Sequence, residues 1–245
     1  MGVETPVNSF TTGDQTLSAV AIDAAGDYVV VWQDLGQDGS GFGVYGQRFN
    51  STGVPQAGEF QVNTFTTSDQ SSPSVAMDAT GNFVVTWDSI GQEGAGSGTG
   101  VFAKRYNAAG TALGAEFQVN SYTTGAQRSA AVAMNAAGNF VITWQSNLQD
   151  GNGYGIYAQR FDAAGSVQGT EFKVNSYTTN AQSAPSVAMD TAGDFVVSWQ
   201  SFGQDLFGYG IYAQRYDAAG AVQLAEFKVN TYTTNTQSSP SVAIT

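Results

Sequence analysis

The sequence predicts an all-β fold, a β-propeller of four-stranded antiparallel blades, and three observations predict it. A unit of about 55 residues recurs four times and is followed by the first half of a fifth. Each full unit carries one tryptophan, Trp32, Trp87, Trp144 and Trp199, and the chain has no others. Short β-branched and aromatic runs alternate with Gly, Asn, Asp and Ser clusters about every 8 to 12 residues, the rhythm of an all-β domain.

The Val-Asn step sets the register. It stands at Val7-Asn8, Val62-Asn63, Val119-Asn120, Val174-Asn175 and Val229-Asn230, at intervals of 55, 57, 55 and 55 residues. The chain thus divides as a single repeat domain, 1–245, with repeats at 5–58, 59–115, 116–170 and 171–225 and a half repeat at 226–245. Each unit reads as four strands. The Glu-Phe-Gln/Lys-Val-Asn step comes first, followed by a polar Thr-Thr connector, then Ser74 to Met77, Phe83 to Trp87, and the Ile156 to Phe161 type. In the third of these, Phe83, Val85 and Trp87 alternate with Val84 and Thr86, so both faces of the strand are expected to be covered. Asp78-Ala79-Thr80-Gly81 and Asn107-Ala108-Ala109-Gly110 predict tight hairpins, with the acid or amide capping the turn and Gly taking the left-handed position. Glu59, Glu116, Glu171 and Glu226 follow Arg48, Arg105, Arg160 and Arg215 by eleven residues, which predicts a cross-strand ion pair in each unit.

Blades packed face to face around an axis explain a strand that is apolar on both sides. The alternative architecture is a linear array of stacked β units. Five Val-Asn steps and five Ser-Val-Ala steps, with four tryptophan strands and four arginine strands, make 18 strands, two more than four complete blades require. Four or five blades are therefore open. The surplus from Glu226 to Thr245 is expected to pair with the N-terminal strands or with another copy of the chain, since a free strand edge invites pairing.

Composition closes several function classes. The formal net charge is −12, from 20 acids and 8 bases, which disfavours nucleic acid and anionic membrane as partners. With no Cys and no His, thiolate chemistry, disulfides and the usual general base are all missing. No apolar run reaches the roughly 18 residues of a membrane span, and no signal pattern opens the chain at Met1-Gly2-Val3.

The unit Ser-Val-Ala-Met-Asp-Ala-Ala-Gly-Asn/Asp-Phe-Val-Val-x-Trp-Gln-Ser, with Gln-Asp-Gly-x-Gly-x-Gly-Ile-Tyr-Ala-Gln-Arg-Phe-Asp-Ala-Ala-Gly after it, resembles tandem repeats of very large secreted bacterial proteins of the repeats-in-toxin or adhesin-like kind. The resemblance implies an extracellular or cell-surface setting and fixes no activity. Ser74 through Asp78, Gly81 and Trp87 also resemble the Asp-box hairpin of sialidase-type propellers, with departures in spacing, and that motif is a structural turn.

Two sets of candidate site residues recur. Trp32, Trp87, Trp144 and Trp199, with Arg48, Arg105, Arg160 and Arg215, have the aromatic faces and hydrogen-bond donors that a glycan site uses, although core packing and the glutamate partners explain them more simply. Asp34, Asp38, Asp88, Glu93, Asp150 and Asp205 lie in or beside the glycine-rich loop after each tryptophan and offer oxygen ligands to calcium. The plainer reading is a solvated loop whose acid caps a turn. Asp34 and Asp88 read as counterparts, with Ser146 and Ser201 in their place in the third and fourth units.

Repeats distribute equivalent residues, whereas catalysis concentrates unlike ones. Among the few departures from the repeat are Arg128, in place of a small polar residue, and Leu206-Phe207 at a loop tip. The expectation is therefore a non-enzymatic module that binds a glycan or a protein, or its own copies through the C-terminal half repeat. Two alternatives stand beside it: a glycosidase-like propeller hydrolase built from loop acids such as Asp38 and Asp205, and a calcium-stabilised spacer of a giant secreted protein.

Overall fold

A computed structural model describes every residue except 1–3, 95–97 and 245. The N-terminal Met1 to Val3, and Ala95 and Gly96 of the second glycine-rich loop, therefore lie outside the described residues. The fold is a β-propeller. Four sheets follow one another, each of four antiparallel strands in chain order. The first blade is β1 (Gln15–Ile22), β2 (Tyr28–Leu35), β3 (Phe42–Phe49) and β4 (Pro55–Gln61). The second is β5 (Gln70–Met77), β6 (Phe83–Ile90), β7 (Thr99–Tyr106) and β8 (Phe117–Gln118). The third is β9 (Gln127–Met134), β10 (Phe140–Asn147), β11 (Tyr154–Phe161) and β12 (Val167–Lys173), and the fourth is β13 (Gln182–Met189), β14 (Phe195–Phe202), β15 (Tyr209–Tyr216) and β16 (Phe227–Lys228).

A repeat as the sequence divides it straddles two blades. The Glu-Phe step is the outermost strand of one blade, and the Ser-Val-Ala strand that follows the connector is the innermost of the next. This places 16 strands in four blades among the described residues, where the sequence count gave 18. Val7-Asn8 lies ahead of β1, and residues 237–244 are not in a ladder but stand where the inner strand of a fifth blade would. Ser239 N–H donates to Gln200 Oε1 at 3.1 Å, as Ser72 N–H does to Gln33 Oε1 at 2.9 Å. Ser239 and Pro240 line the axial opening with Ser72, Pro73, Ala184 and Pro185.

The cores lie between blades. Val29, Val31 and Val44 of the first blade meet Phe83, Val85 and Trp87 of the second. Val84, on the other face of the same strand, packs against Phe140, Ile142 and Trp144 of the third. Val141 in turn meets Phe195, Val197 and Trp199 of the fourth. The double-sided strand read from the alternation is thus the element that every interface shares. Hairpins form as their sequences require: Asp78 Oδ1 accepts from Thr80 and Asn82 N–H at 2.8 and 3.0 Å, and Gly81 has φ +88°.

The expected arginine–glutamate pairs do not form. A bulge in the outer hairpin sets Arg48 opposite Gln56, and Gly46 opposite Phe60. Arg48 instead donates to the Ala109 carbonyl at 2.7 Å, and Arg160 to the Ala218 carbonyl at 2.8 Å, each on the next blade; Arg105 reaches the Ala163 and Ala164 carbonyls. The glutamates hold the connectors. Glu171 accepts from Ser121 N–H at 2.7 Å and from Ser121 Oγ–H at 3.0 Å, while its other oxygen accepts from Gln149 at 2.6 Å. Glu59 and Glu226 do the same for Ser9 and Ser176, while Glu116 accepts from the Thr64 and Phe65 amides and from Gln92.

The Glu171→Ala variant frees these donors at a partly exposed position, so it is expected to lose about 1–3 kcal/mol in chemical denaturation. A loss below about 0.5 kcal/mol, the level of an ordinary surface substitution, contradicts the connector's role.

Candidate functional site

The structure places the repeated candidates in supporting positions. The tryptophans are sealed, Trp32 at 3% exposure and Trp87, Trp144 and Trp199 at 0%, so none offers a ring face to a sugar. Arg48, Arg105 and Arg160 spend their guanidinium donors on carbonyls of the next blade, and Arg215 lies on the fourth blade, which has no complete neighbour beyond it.

The loop acids fold back on their own blade. Asp38 Oδ1 accepts from Ser40 N–H at 3.0 Å, Asp150 Oδ1 from Asn152 N–H at 3.3 Å, and Glu93 Oε1 from Gln118 and Asn120, each at 2.6 Å. They lie so close to the strand that follows that a methyl group at Gly155 would stand 2.7 Å from Asp150 Oδ2, and one at Gly210 2.6 Å from Asp205 Oδ2. That contact explains the glycine two residues before each of Tyr45, Tyr157 and Tyr212. Asp38 and Asp205 belong to equivalent loops of different blades and share no pocket. Among the described residues no three His, Cys, Asp or Glu side chains gather closely enough to hold a metal ion.

Asp34 and Asp88 are not counterparts. Asp34 stands two places after Trp32 and pairs with Gly43, as Ser89, Ser146 and Ser201 pair with Gly100, Gly155 and Gly210, so these serines are its equivalents. Asp88 directly follows Trp87, where the other blades have Gln33, Gln145 and Gln200. One residue along a strand reverses the face. Asp34 is therefore buried within the first blade, where burial raises its pKa against the opposing hydrogen bond of Gln15. Asp88 faces the third blade at the axial end.

Asp88 is one of three departures that meet. Thr99 occupies the position of Phe42, Tyr154 and Tyr209, so a small hydroxyl side chain replaces a ring. Arg128 occupies the position of Thr16, Ser71 and Ser183. All three line one cleft of about 330 Å³ between the second and third blades, together with Ser71, Ser72, Ser129 and Gln145. Of the three, Arg128 stood out in the sequence as a departure from the repeat and Asp88 only as a candidate calcium ligand, the supposed counterpart of Asp34. That Asp88 and Thr99 are departures needs the blade register, because each is an ordinary strand residue until its counterparts are known.

The chemistry of the cleft centres on Asp88, which is 5% exposed. Burial pushes its carboxyl up to about 7, against the opposing effects of the Ser129 and Ala130 amides, the Ser72 side chain and the Arg128 charge. Ser129 N–H donates to Oδ2 at 2.9 Å, whereas Ala130 N–H approaches Oδ1 only to 3.5 Å, which leaves Oδ1 room to carry a proton. The cleft thus presents a carboxyl that is neutral below about pH 7 beside a guanidinium stacked 5.0 Å from the Tyr154 ring centre. The asymmetric feature that the repeat hid is this cleft.

No protein-family model matches the chain, and no curated protein does. Solved structures match over most of its length. An α-L-arabinanase of Penicillium chrysogenum, complexed with arabinobiose, is 13% identical with a TM-score of 0.62, covering 96% of this chain and 72% of its own. A thermostable family-43 glycoside hydrolase is 12% identical with a TM-score of 0.51, over 93% and 75%. An α-L-arabinofuranosidase of Fusarium graminearum, in complex with an iminosugar inhibitor, is 10% identical with a TM-score of 0.54, over 88% and 66%. At these identities the likeness establishes the propeller fold. These neighbours are glycoside hydrolases, not repeats-in-toxin or adhesin-like proteins. On that finding the resemblance read from the sequence is corrected, and with it the expectation of a non-enzymatic module for binding or self-assembly.

The raised pKa of Asp88 has a stability consequence with a definite sign. A carboxyl that is easier to protonate in the folded chain than in the unfolded one makes the fold less stable as pH rises from about 4 to about 7. Asp88→Gln restores the residue of the other blades and removes that dependence. Its melting temperature is expected to exceed the parent's at pH 8, with the gap closing towards pH 4. Parallel melting curves across this range contradict the burial of an ionisable group here.

Proposed function

We propose that the chain is a glycoside hydrolase that works at the cleft between the second and third blades, with Asp88 as its acid. The observation that carries the proposal is a buried carboxyl, with burial raising its pKa, set where the other blades have glutamine, at the point where the repeat is broken three times. Support also comes from the fold, which the chain shares with arabinan- and arabinoside-acting enzymes.

Cleaving a glycosidic bond by hydrolysis requires a proton on the departing oxygen as the C–O bond breaks, while a water oxygen bonds to the anomeric carbon and releases its proton to solvent. Asp88 holds such a proton up to about pH 7. Once the proton has gone, the carboxylate is stabilised by the Ser129 and Ala130 amides and by Arg128, the groups that already oppose the effect of its burial. Hydroxyls of Ser71, Ser72, Thr99 and Ser129 match the hydrogen-bonding capacity of a sugar, and Gln145 adds an amide. Among the described residues that line the cleft, Asp88 is the one carboxyl, so it alone receives a role here.

Asp88→Asn is expected to lower turnover of arabino-oligosaccharides by about 10²–10⁴-fold. Parent activity is expected to fall as pH rises through about 7, as the acid ionises. The loss in the variant shrinks on aryl glycosides, whose leaving groups need little protonation. Equal turnover by variant and parent, or no turnover of any glycan by the parent, overturns the proposal.

A further inference from the structure

Arg128 has a feature that acid catalysis does not use. Arg48, Arg105 and Arg160 satisfy their guanidinium groups with backbone carbonyls of the next blade. Arg128 is exposed, and its contacts are the Tyr154 ring and the charge of Asp88. While Asp88 is protonated it carries no charge to cancel the guanidinium. Stacking on Tyr154 holds the planar group and leaves its N–H edge directed to partners, the arrangement that suits bidentate recognition of a carboxylate.

The substitution that introduced Arg128 also released a second donor. In the first blade Gln33 Nε2 donates to Thr16 Oγ1 at 3.0 Å, and in the fourth Gln200 Nε2 donates to Ser183 Oγ at 3.0 Å. In the third blade Arg128 stands in place of that hydroxyl, so Gln145 has no such acceptor, although its Oε1 still takes the Ala184 amide at 3.0 Å. Gln145 is 6% exposed and lines the cleft. A cationic fork and an amide N–H therefore face the same space. The chain as a whole carries −12, which repels anions at long range, so an anionic ligand would be recognised through these contacts and not by steering.

Resting on the glycan-directed reading above, we propose that the cleft takes a sugar bearing a carboxylate, of the uronic acid class, with the carboxylate on Arg128 and Gln145. The remaining hydroxyls of such a sugar meet Ser71, Thr99 and Ser129.

Calorimetric titration with trigalacturonate and with its neutral counterpart, a galactotriose, tests this at pH 6. The parent is expected to bind the uronate at least about tenfold more tightly, the lower end of what hydrogen bonds to a charged group supply. Arg128→Gln is expected to bring the ratio close to one, and Arg128→Lys to keep part of it, since a point charge remains without the planar fork. A parent that binds both sugars equally, or an Arg128→Gln variant that keeps the preference, overturns the inference. Because these are binding measurements, they separate the two proposals. Turnover of neutral arabino-oligosaccharides without uronate preference sinks the carboxylate subsite alone, whereas uronate preference with Asp88→Asn fully active sinks only the acid.

Discussion

Blade order in this molecule depends on one backbone amide in each inner strand after the first, turned out of its own sheet and taken by a side chain of the preceding blade. Each inner strand has a register break, and within it a residue with positive φ: Leu17 at 51°, Ser72 at 54°, Ser129 at 58° and Ala184 at 51°, with Ser239 at 56° in the last segment. None is glycine, so each carries about 1–3 kcal/mol of backbone strain. The break frees an N–H from the ladder. Gln33 takes that of Ser72, Asp88 that of Ser129, Gln145 that of Ala184 and Gln200 that of Ser239. Apolar burial between blades is strong but without direction. The amide bond adds direction, and with it the angle at which each blade meets the next.

Asp88 sits within this series, which explains why its replacement matters. Glutamine at the position both accepts the bulge amide and donates to a hydroxyl of its own blade. A neutral aspartic acid preserves the accepting half in a shorter side chain, leaving space beside it. An ionised one places a charge where water is largely excluded, and two amides with one arginine offset that burial only in part. The second blade therefore gives up some stability at the position where the others gain it, the relation expected when a residue is held for chemistry and not for the fold.

Much of the fold was legible because repetition multiplies weak signals. Four tryptophan strands with the same double-sided alternation identified the shared interface, and Asp78 with Gly81 identified the hairpin. The blade phase was not legible, since a period has no marked beginning and the Glu-Phe step closes a blade as readily as it opens one. Nor was the fate of Arg48 and Glu59: a bulge that adds two residues to the outer strand redirects both, and nothing in the spacing reveals it. The site was hidden for a related reason. Asp88, Thr99 and Arg128 lie 11 and 29 residues apart. Reading Asp34 as the partner of Asp88 made a unique residue look like a decaying repeat.

The position of the cleft in the ring follows the same constraint. Val75 and Val132, covered by the preceding blade, are each 8% exposed, whereas their counterpart Val20 on the first blade is 65% exposed. The first blade and the segment 237–244 thus each lack one flank. The second and third blades have complete neighbours on both sides, and their interface is the middle of the three that are fully built. Local opening is easiest where buried contacts are fewest. A carboxyl whose protonation depends on exclusion of water, and a guanidinium positioned by a ring on the same blade, both require the interface that opens least. The three departures from the repeat stand at that interface and not at the sector where the ring is thin.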